Sequence, residues 1–244
     1  MKTLLTITFL FTANICFCQS LKTIDEKLSN VYQNVPNSYS DEQKSKRMDL
    51  FEKLLLKYTA REPKTIAYPF KKLVRSIGVP ISTSEDGNFR IYSYDRNRMR
   101  SMPYFENVYQ YRANGKVISK EIAPEIAGAP DYLYYQINDF ESAGKIYYIA
   151  QRVAIGGEKD EYSIRFFSID GDQLNPKAKL IQTKNGIAYE FKCAEVDGLS
   201  KANRFTLVFN KSDKSFSMPV VSTEGKVTNK RITYKFNGKY FVKI

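Results

Sequence analysis

Residues 86–95 read Asp-Gly-Asn-Phe-Arg-Ile-Tyr-Ser-Tyr-Asp. A turn dipeptide is followed by alternation, with Phe89, Ile91 and Ser93 on one side and Arg90, Tyr92 and Tyr94 on the other. That is the period of a β-strand, not of a helix. The same period runs on to the end of the chain. Ile232, Tyr234 and Phe236 alternate with Arg231, Thr233 and Lys235, and Tyr240, Val242 and Ile244 follow. Between the runs stand Asn114-Gly115, Asn185-Gly186 and Asn237-Gly238, the strongest short hairpin signals, supported by Ala143-Gly144, Gly156-Gly157, Asp170-Gly171 and Glu224-Gly225. Their spacing predicts roughly ten to twelve antiparallel strands in meander order. No stretch reads as a crossover helix, which argues against a parallel sheet.

Upstream of residue 79 the period is helical. Leu21, Ile24, Leu28, Val31 and Tyr32 recur at three- and four-residue steps until Pro36-Asn37-Ser38. A second helix opens at Ser40, with Gln43 as its capping-box partner and Asp41 and Glu42 at the positive end of the dipole. Its apolar stripe is Met48, Phe51, Leu54, Leu55 and Tyr58. A third, shorter helix is expected from Pro69, burying Phe70, Leu73, Val74 and Ile77 and stopping at Gly78. The expected fold is therefore α+β and mainly antiparallel β: a helical segment, residues 19–78, packed on a β domain, residues 79–244, that forms a sandwich or a partly open barrel. A propeller fragment ranks second, since too few strands are present for a ring. Lys and Arg scattered on outward faces, together with the helical first quarter, argue against an outer-membrane barrel.

Residues 1–18 read as a secretory signal peptide: Met1-Lys2-Thr3, an apolar run from Leu4 to Ile15, then Cys16-Phe17-Cys18. Cleavage between Cys18 and Gln19 leaves a periplasmic or extracellular protein. A lipoprotein reading is weaker, because a lipidated cysteine wants a small residue before it and these follow Ile15 and Phe17. Nothing later reaches the roughly 20 apolar residues of a spanning helix. The mature chain keeps one thiol, Cys193, so no disulfide framework forms within it. Alternation places Cys193 on the face of Tyr189 and Phe191, as a small buried residue rather than a reactive thiol.

The 244 residues contain no His and no Trp. That removes Ser-His-Asp and Cys-His catalysis, a His general base and His-ligated zinc or iron. Carboxylates are the natural remainder. Asp139 with Glu141, Glu158 with Asp160 and Glu161, and Asp170 with Asp172 each lie in or beside an expected turn, where acids are ordinary turn formers. Asp170-Gly171-Asp172 fails the EF-hand pattern, since positions five and six are Leu174 and Asn175. Gly156-Gly157 has no following Lys-Ser or Lys-Thr and opens no helix, so no phosphate loop is present. No catalytic residue, cofactor or metal is assigned.

The net charge is +12, or +11 once Lys2 leaves with the signal. Residues 19–78 hold 12 basic and 7 acidic side chains, and residues 79–244 hold 25 and 19, so the excess is shared. Nucleic acid is not the expected partner, because it calls for a concentrated patch. The most unusual local chemistry is Arg96, Arg98 and Arg100 in one strand connection, with Arg112 on the next strand. These form a candidate anion-binding rim for an anionic envelope polymer or a small ligand; a solvated hairpin tip is the plainer reading.

Thr83–Asp95, with its Ser-x-Asp-Gly-x-Phe-Arg-Ile-Tyr-Ser-x-Asp core, and Phe105–Tyr111 resemble a group of uncharacterised exported bacterial proteins. The resemblance spans roughly residues 65–112 and implies export and a β-rich fold, with no activity attached. Those sequences tend to link the two strands through glycines, where this chain has Arg96-Asn97-Arg98-Met99-Arg100. The functional expectation is an exported, non-enzymatic binding or envelope-associated protein. A hydrolase working through carboxylates or Tyr is the alternative.

Overall fold

The computed structural model describes residues 20–96, 103–123, 132–156, 158–197 and 205–244. The expected signal peptide, Arg98 and Arg100 lie outside the described residues. The fold is α+β, with antiparallel sheets stacked as a sandwich and no closed barrel among the described residues.

Helix α1, Leu21–Gln33, starts where Ser20 Oγ accepts the Thr23 amide at 3.1 Å. Helix α2, Asp41–Arg61, starts where Ser40 Oγ accepts the Gln43 amide at 3.2 Å. The Gln43 side chain reaches back to the amide of Tyr39 and not to that of Ser40. The expected third helix is only a single π turn, Lys72–Ser76. Pro69 disfavours helical geometry in the residue before it, and Phe70 takes φ 43°, so the chain cannot enter a helix until Lys71. The carboxylate of Asp25, buried on α1, accepts the amides of Lys72 and Leu73 at 3.0 and 2.9 Å and so caps this turn from outside. A 3-10 turn at Pro63–Ile66 was not anticipated.

Three sheets follow. Sheet A is a meander of β1 (Ile81–Thr83), β2 (Phe89–Asp95), β3 (Phe105–Ala113) and β4 (Lys116–Glu121). Sheet B orders its strands β11 (Glu190–Asp197), β7 (Lys159–Asp170), β6 (Lys145–Ala154) and β5 (Leu133–Ser142), with β8 (Gln173–Asn175) on β7. Sheet C runs β10 (Gly186–Ala188), β9 (Ile181–Thr183), β15 (Phe241–Lys243), β14 (Val227–Phe236), β13 (Ser215–Val221) and β12 (Val208–Asn210). The fifteen strands among the described residues exceed the expected number because six of them are only three residues long, too short to leave an alternation in the sequence. Pairing is antiparallel except at Phe241 and Ile181, where β15 meets β9 in parallel.

Three apolar clusters stack the layers. Phe51, Leu55 and Phe70 of the helical segment meet Tyr92, Tyr94 and Val108 on one face of sheet A. Phe89, Ile91, Tyr109 and Tyr111 on its other face meet Tyr134, Tyr148 and Phe167 of sheet B. Phe140, Ile149 and Phe166 on the far face of sheet B meet Phe216, Tyr234 and Phe241 of sheet C. The order is helices, sheet A, sheet B, sheet C. Strands β2, β6 and β7 are consequently buried on both faces for most of their length.

Candidate functional site

The motif around Asp86 is spent on architecture. Asp86 Oδ1 accepts Ser84 Oγ at 2.5 Å and the Asn88 amide at 2.9 Å, which fixes the turn before β2. Arg90, buried, donates Nη1 to the carbonyls of Thr65 and Tyr68 at 2.8 and 2.6 Å and Nε to Thr83 Oγ1 at 2.8 Å. It thereby anchors the 3-10 turn to sheet A. Tyr92 donates to Gln110 Oε1 at 2.8 Å, and Gln110 Nε2 donates on to the Thr59 carbonyl and Thr65 Oγ1. Ser93 Oγ donates to Asn107 and accepts the Tyr134 amide at 3.0 Å, crossing from sheet A to sheet B. Burial pushes the Tyr92 hydroxyl up to about 12, so it stays a neutral donor.

The carboxylates singled out in the sequence do not converge. Asp139 is buried on β5; its Oδ1 accepts the Asp86 amide at 3.1 Å and its Oδ2 takes Lys211 Nζ at 2.5 Å. Tyr148 donates to Asp86 Oδ2 at 3.1 Å beside them, and burial followed by the Asp86 charge raises its pKa. Asp86 and Lys211 are the partners that the sequence reading missed, because they sit over fifty residues from Asp139. Glu141 closes β5 and Asp172 sits in the β7–β8 turn. Asp170 pairs with Lys145 at 2.5 Å at one end of β7, whereas Asp160 and Glu161 stand at the other. Over a twelve-residue strand these ends are about 35 Å apart. Glu161 accepts Tyr132 at 2.7 Å and Lys192 at 2.8 Å. Among the described residues no group of three acidic or cysteine side chains is placed to hold a metal ion.

The expected arginine rim is not assembled from its described members. Arg96 sits just past β2, where its amide donates to the Tyr104 carbonyl; the Arg112 amide donates to the Asn88 carbonyl at the opposite end of the β2–β3 ladder. The Arg96 guanidinium is also occupied. It bonds Asp49 and Glu52 of α2, the latter at 2.6 Å, and Glu106 of β3 at 3.0 Å. Glu121 joins the group through Glu52, and desolvation, then the bond and charge of Glu52, then Glu106, raise its carboxyl to about 7 against the pull of Arg96. Arg96 thus neutralises an acidic cluster that holds α2 to sheet A.

One open feature among the described residues is a cleft of about 520 Å³ at the margin between sheets B and C. Its walls are two irregular strands. The β11–β7 register slips between Lys192 and Ala194, so Cys193 is the extra residue of a bulge. The β13–β14 register slips between Pro219 and Val221, where the single residue Val220 stands against Thr228, Asn229 and Lys230, so the excess lies on β14. Bulges re-aim side chains and interrupt pairing, and both irregularities touch strands that line the opening. Met218, Val221 and Ile232 give an apolar wall, and Lys159, Lys192 and Glu195 a charged rim. Cys193 is only partly buried and lines the opening, where burial pushes its thiol up to about 12 and so favours the protonated form. The volume falls in the range of small-molecule sites. No family model matches the chain, and no curated protein matches it.

Proposed function

We propose that this is an exported, non-enzymatic binding protein that takes a small amphipathic ligand in the cleft between β11 and β13. The observation that carries the reading is an opening with one apolar wall and one charged rim, bordered by irregular stretches of the β11–β7 and β13–β14 ladders. The apolar wall suits a hydrocarbon or ring system, and Lys159, Lys192 and Glu195 suit a polar end. Export rests on the leader at residues 1–18, and amino-terminal sequencing of protein recovered from outside the cytoplasm is expected to begin at Gln19.

The test is a small-molecule screen by thermal shift on the chain from Gln19, wild type against Val221→Trp. Ligands that raise the melting temperature of the wild type and lose that effect in the filled cleft support the reading. Ligands that act equally on both, or a screen without any, overturn it. The rival hydrolase reading would rest on Asp86, Asp139 and Tyr148, where two carboxylates and a tyrosine meet. Hydrolysis of chromogenic esters or glycosides that is lost in Asp139→Asn would favour it.

A further inference from the structure

Charge is segregated within the helical segment. Residues 19–52 carry five basic and six acidic side chains, whereas residues 53–78 carry seven and one. Helix α2 divides at this boundary. In its first half Lys44 faces Asp41 at 3.3 Å and Lys46 faces Glu42 at 2.7 Å, while Asp49 and Glu52 are taken by Arg96. In its second half Lys53, Lys57 and Arg61 are exposed and form no ion pair among the described residues. They follow at steps of four, so they lie along one face at intervals of about 6 Å. That face is opposite the buried Met48, Phe51, Leu55 and Thr59.

The stripe is extended at the turn. Lys64 is exposed on the 3-10 turn that follows α2, and Glu62, the lone acid of the stretch, holds the Lys64 amide at 3.3 Å. Arg112 is exposed on β3, on the helix-facing side of sheet A, two residues beyond the Gln110 amide that grips Thr59 and Thr65, and so stands apart from the stripe, which looks away from the sheet.

We propose that Lys53, Lys57, Arg61 and Lys64 form the binding face for a linear anionic polymer bearing carboxylate, sulfate or phosphate groups along its length. A row of like charges at regular spacing matches a chain that repeats its own charge. A bilayer is a poorer match, because interfacial helices bury their apolar face in the lipid and α2 spends its apolar face on sheet A. The proposal shares with the reading above only the premise that the protein meets envelope components. It does not involve the cleft, and Val221→Trp is expected to leave it intact.

Heparin is the probe, titrated against the chain from Gln19 at several salt concentrations. Lys53→Glu/Lys57→Glu/Arg61→Glu is compared with an equally charged control, Lys184→Glu/Lys226→Glu/Lys230→Glu, whose positions are exposed in and around sheet C. The stripe variant is expected to bind at least ~10-fold more weakly and to lose about two from the slope of log affinity against log salt, while the control stays near wild type. Equal losses in the two variants, or none, would show that net charge alone is read and would overturn the proposal. The same result follows if the wild type sediments with phosphatidylglycerol vesicles at a salt concentration where heparin is already released. Should charge reversal impair folding, the Gln versions of the three stripe residues are expected to move in the same direction by a smaller amount.

Discussion

Lys211 Nζ stands 2.5 Å from Oδ2 of Asp139, joining a half-exposed lysine of the β12–β13 hairpin to a carboxylate that is 6% exposed. The other oxygen of Asp139 accepts the amide of Asp86, and Lys211 also reaches Glu85 at 3.3 Å. One side chain on sheet B thus ties down the first turn of sheet A and the β12–β13 hairpin of sheet C. Removing it leaves the part-buried Asp86 amide without its acceptor and Lys211 with Glu85 alone. Asp139→Ala is expected to cost about 3 kcal/mol in urea unfolding, and Lys211→Ala about 1 kcal/mol because its partner keeps the Asp86 amide. Losses of equal size would refute this division of labour.

The acidic cluster at the edge of α2 sets a pH dependence. Glu121 is raised from 4.5 to about 7 in the fold by desolvation and by Glu52 and Glu106, with Arg96 opposing. The native state therefore holds a proton that the unfolded chain releases near 4.5. Stability from this group is full below that value and falls as pH rises through about 7. Because Glu121 is largely exposed, the expected change is only about 1 kcal/mol after solvent screening. Glu121→Gln should remove it, so that the variant gains on the wild type at pH 8 and not at pH 4.5. A parallel pH profile for both proteins would sink the assignment.

Arg152 is a buried cation held by geometry. Its Nε donates to Ser163 at 2.9 Å and its Nη2 to Glu190 at 2.9 Å, with the guanidinium 3.8 Å from the Tyr132 ring centre. A lysine can offer neither the fork nor the planar stack. Arg152→Met is expected to cost about 2 kcal/mol and Arg152→Lys to recover less than half of it, measured by the midpoint of thermal unfolding.

Ala143 and Gly144 turn β5 into β6 with φ values of 50° and 72°, nearly those of Asn114 and Gly115 between β3 and β4, at 48° and 73°. The first position is left-handed in both, and alanine tolerates that poorly where asparagine does so readily. Ala143→Asn should stabilise by about 0.5–1 kcal/mol without changing the fold. A neutral or destabilising result would show that the strain is relieved elsewhere.

Much of the local structure could be read directly from residue patterns. Ser40, the stripe on α2 and the Asn114-Gly115 turn act within a few positions, so their spacing carries the signal. What could not be read was the stacking. Arg90 and Arg152 look like solvent-facing charges on alternating strands, yet both lie between layers, because their partners at Thr65, Tyr68 and Glu190 are remote in sequence. The same distance effect misplaced Arg96, which neighbours Arg98 and Arg100 in the chain but meets Asp49 and Glu52 in space. The cleft borders two register slips, one at Cys193 and one where residues 228–230 stand against Val220, and such slips leave no periodic trace. The basic stripe was legible in principle. Counting residues 19–78 as one block averaged the neutral half of α2 with the charged half.

Strand β15 lies between β9 and β14, with Phe241 fully buried against Phe140, Phe166, Phe216 and Phe236. A strand made from residues 241–243 therefore bridges one made from residues 181–183 and another from 227–236. A chain emerging amino-terminus first can stack its helices and sheets A and B while sheet C still lacks its central strand. The cleft is lined by β7, β11, β13 and β14, so the proposed ligand site takes shape only after residues 215–236 have joined residues 190–197.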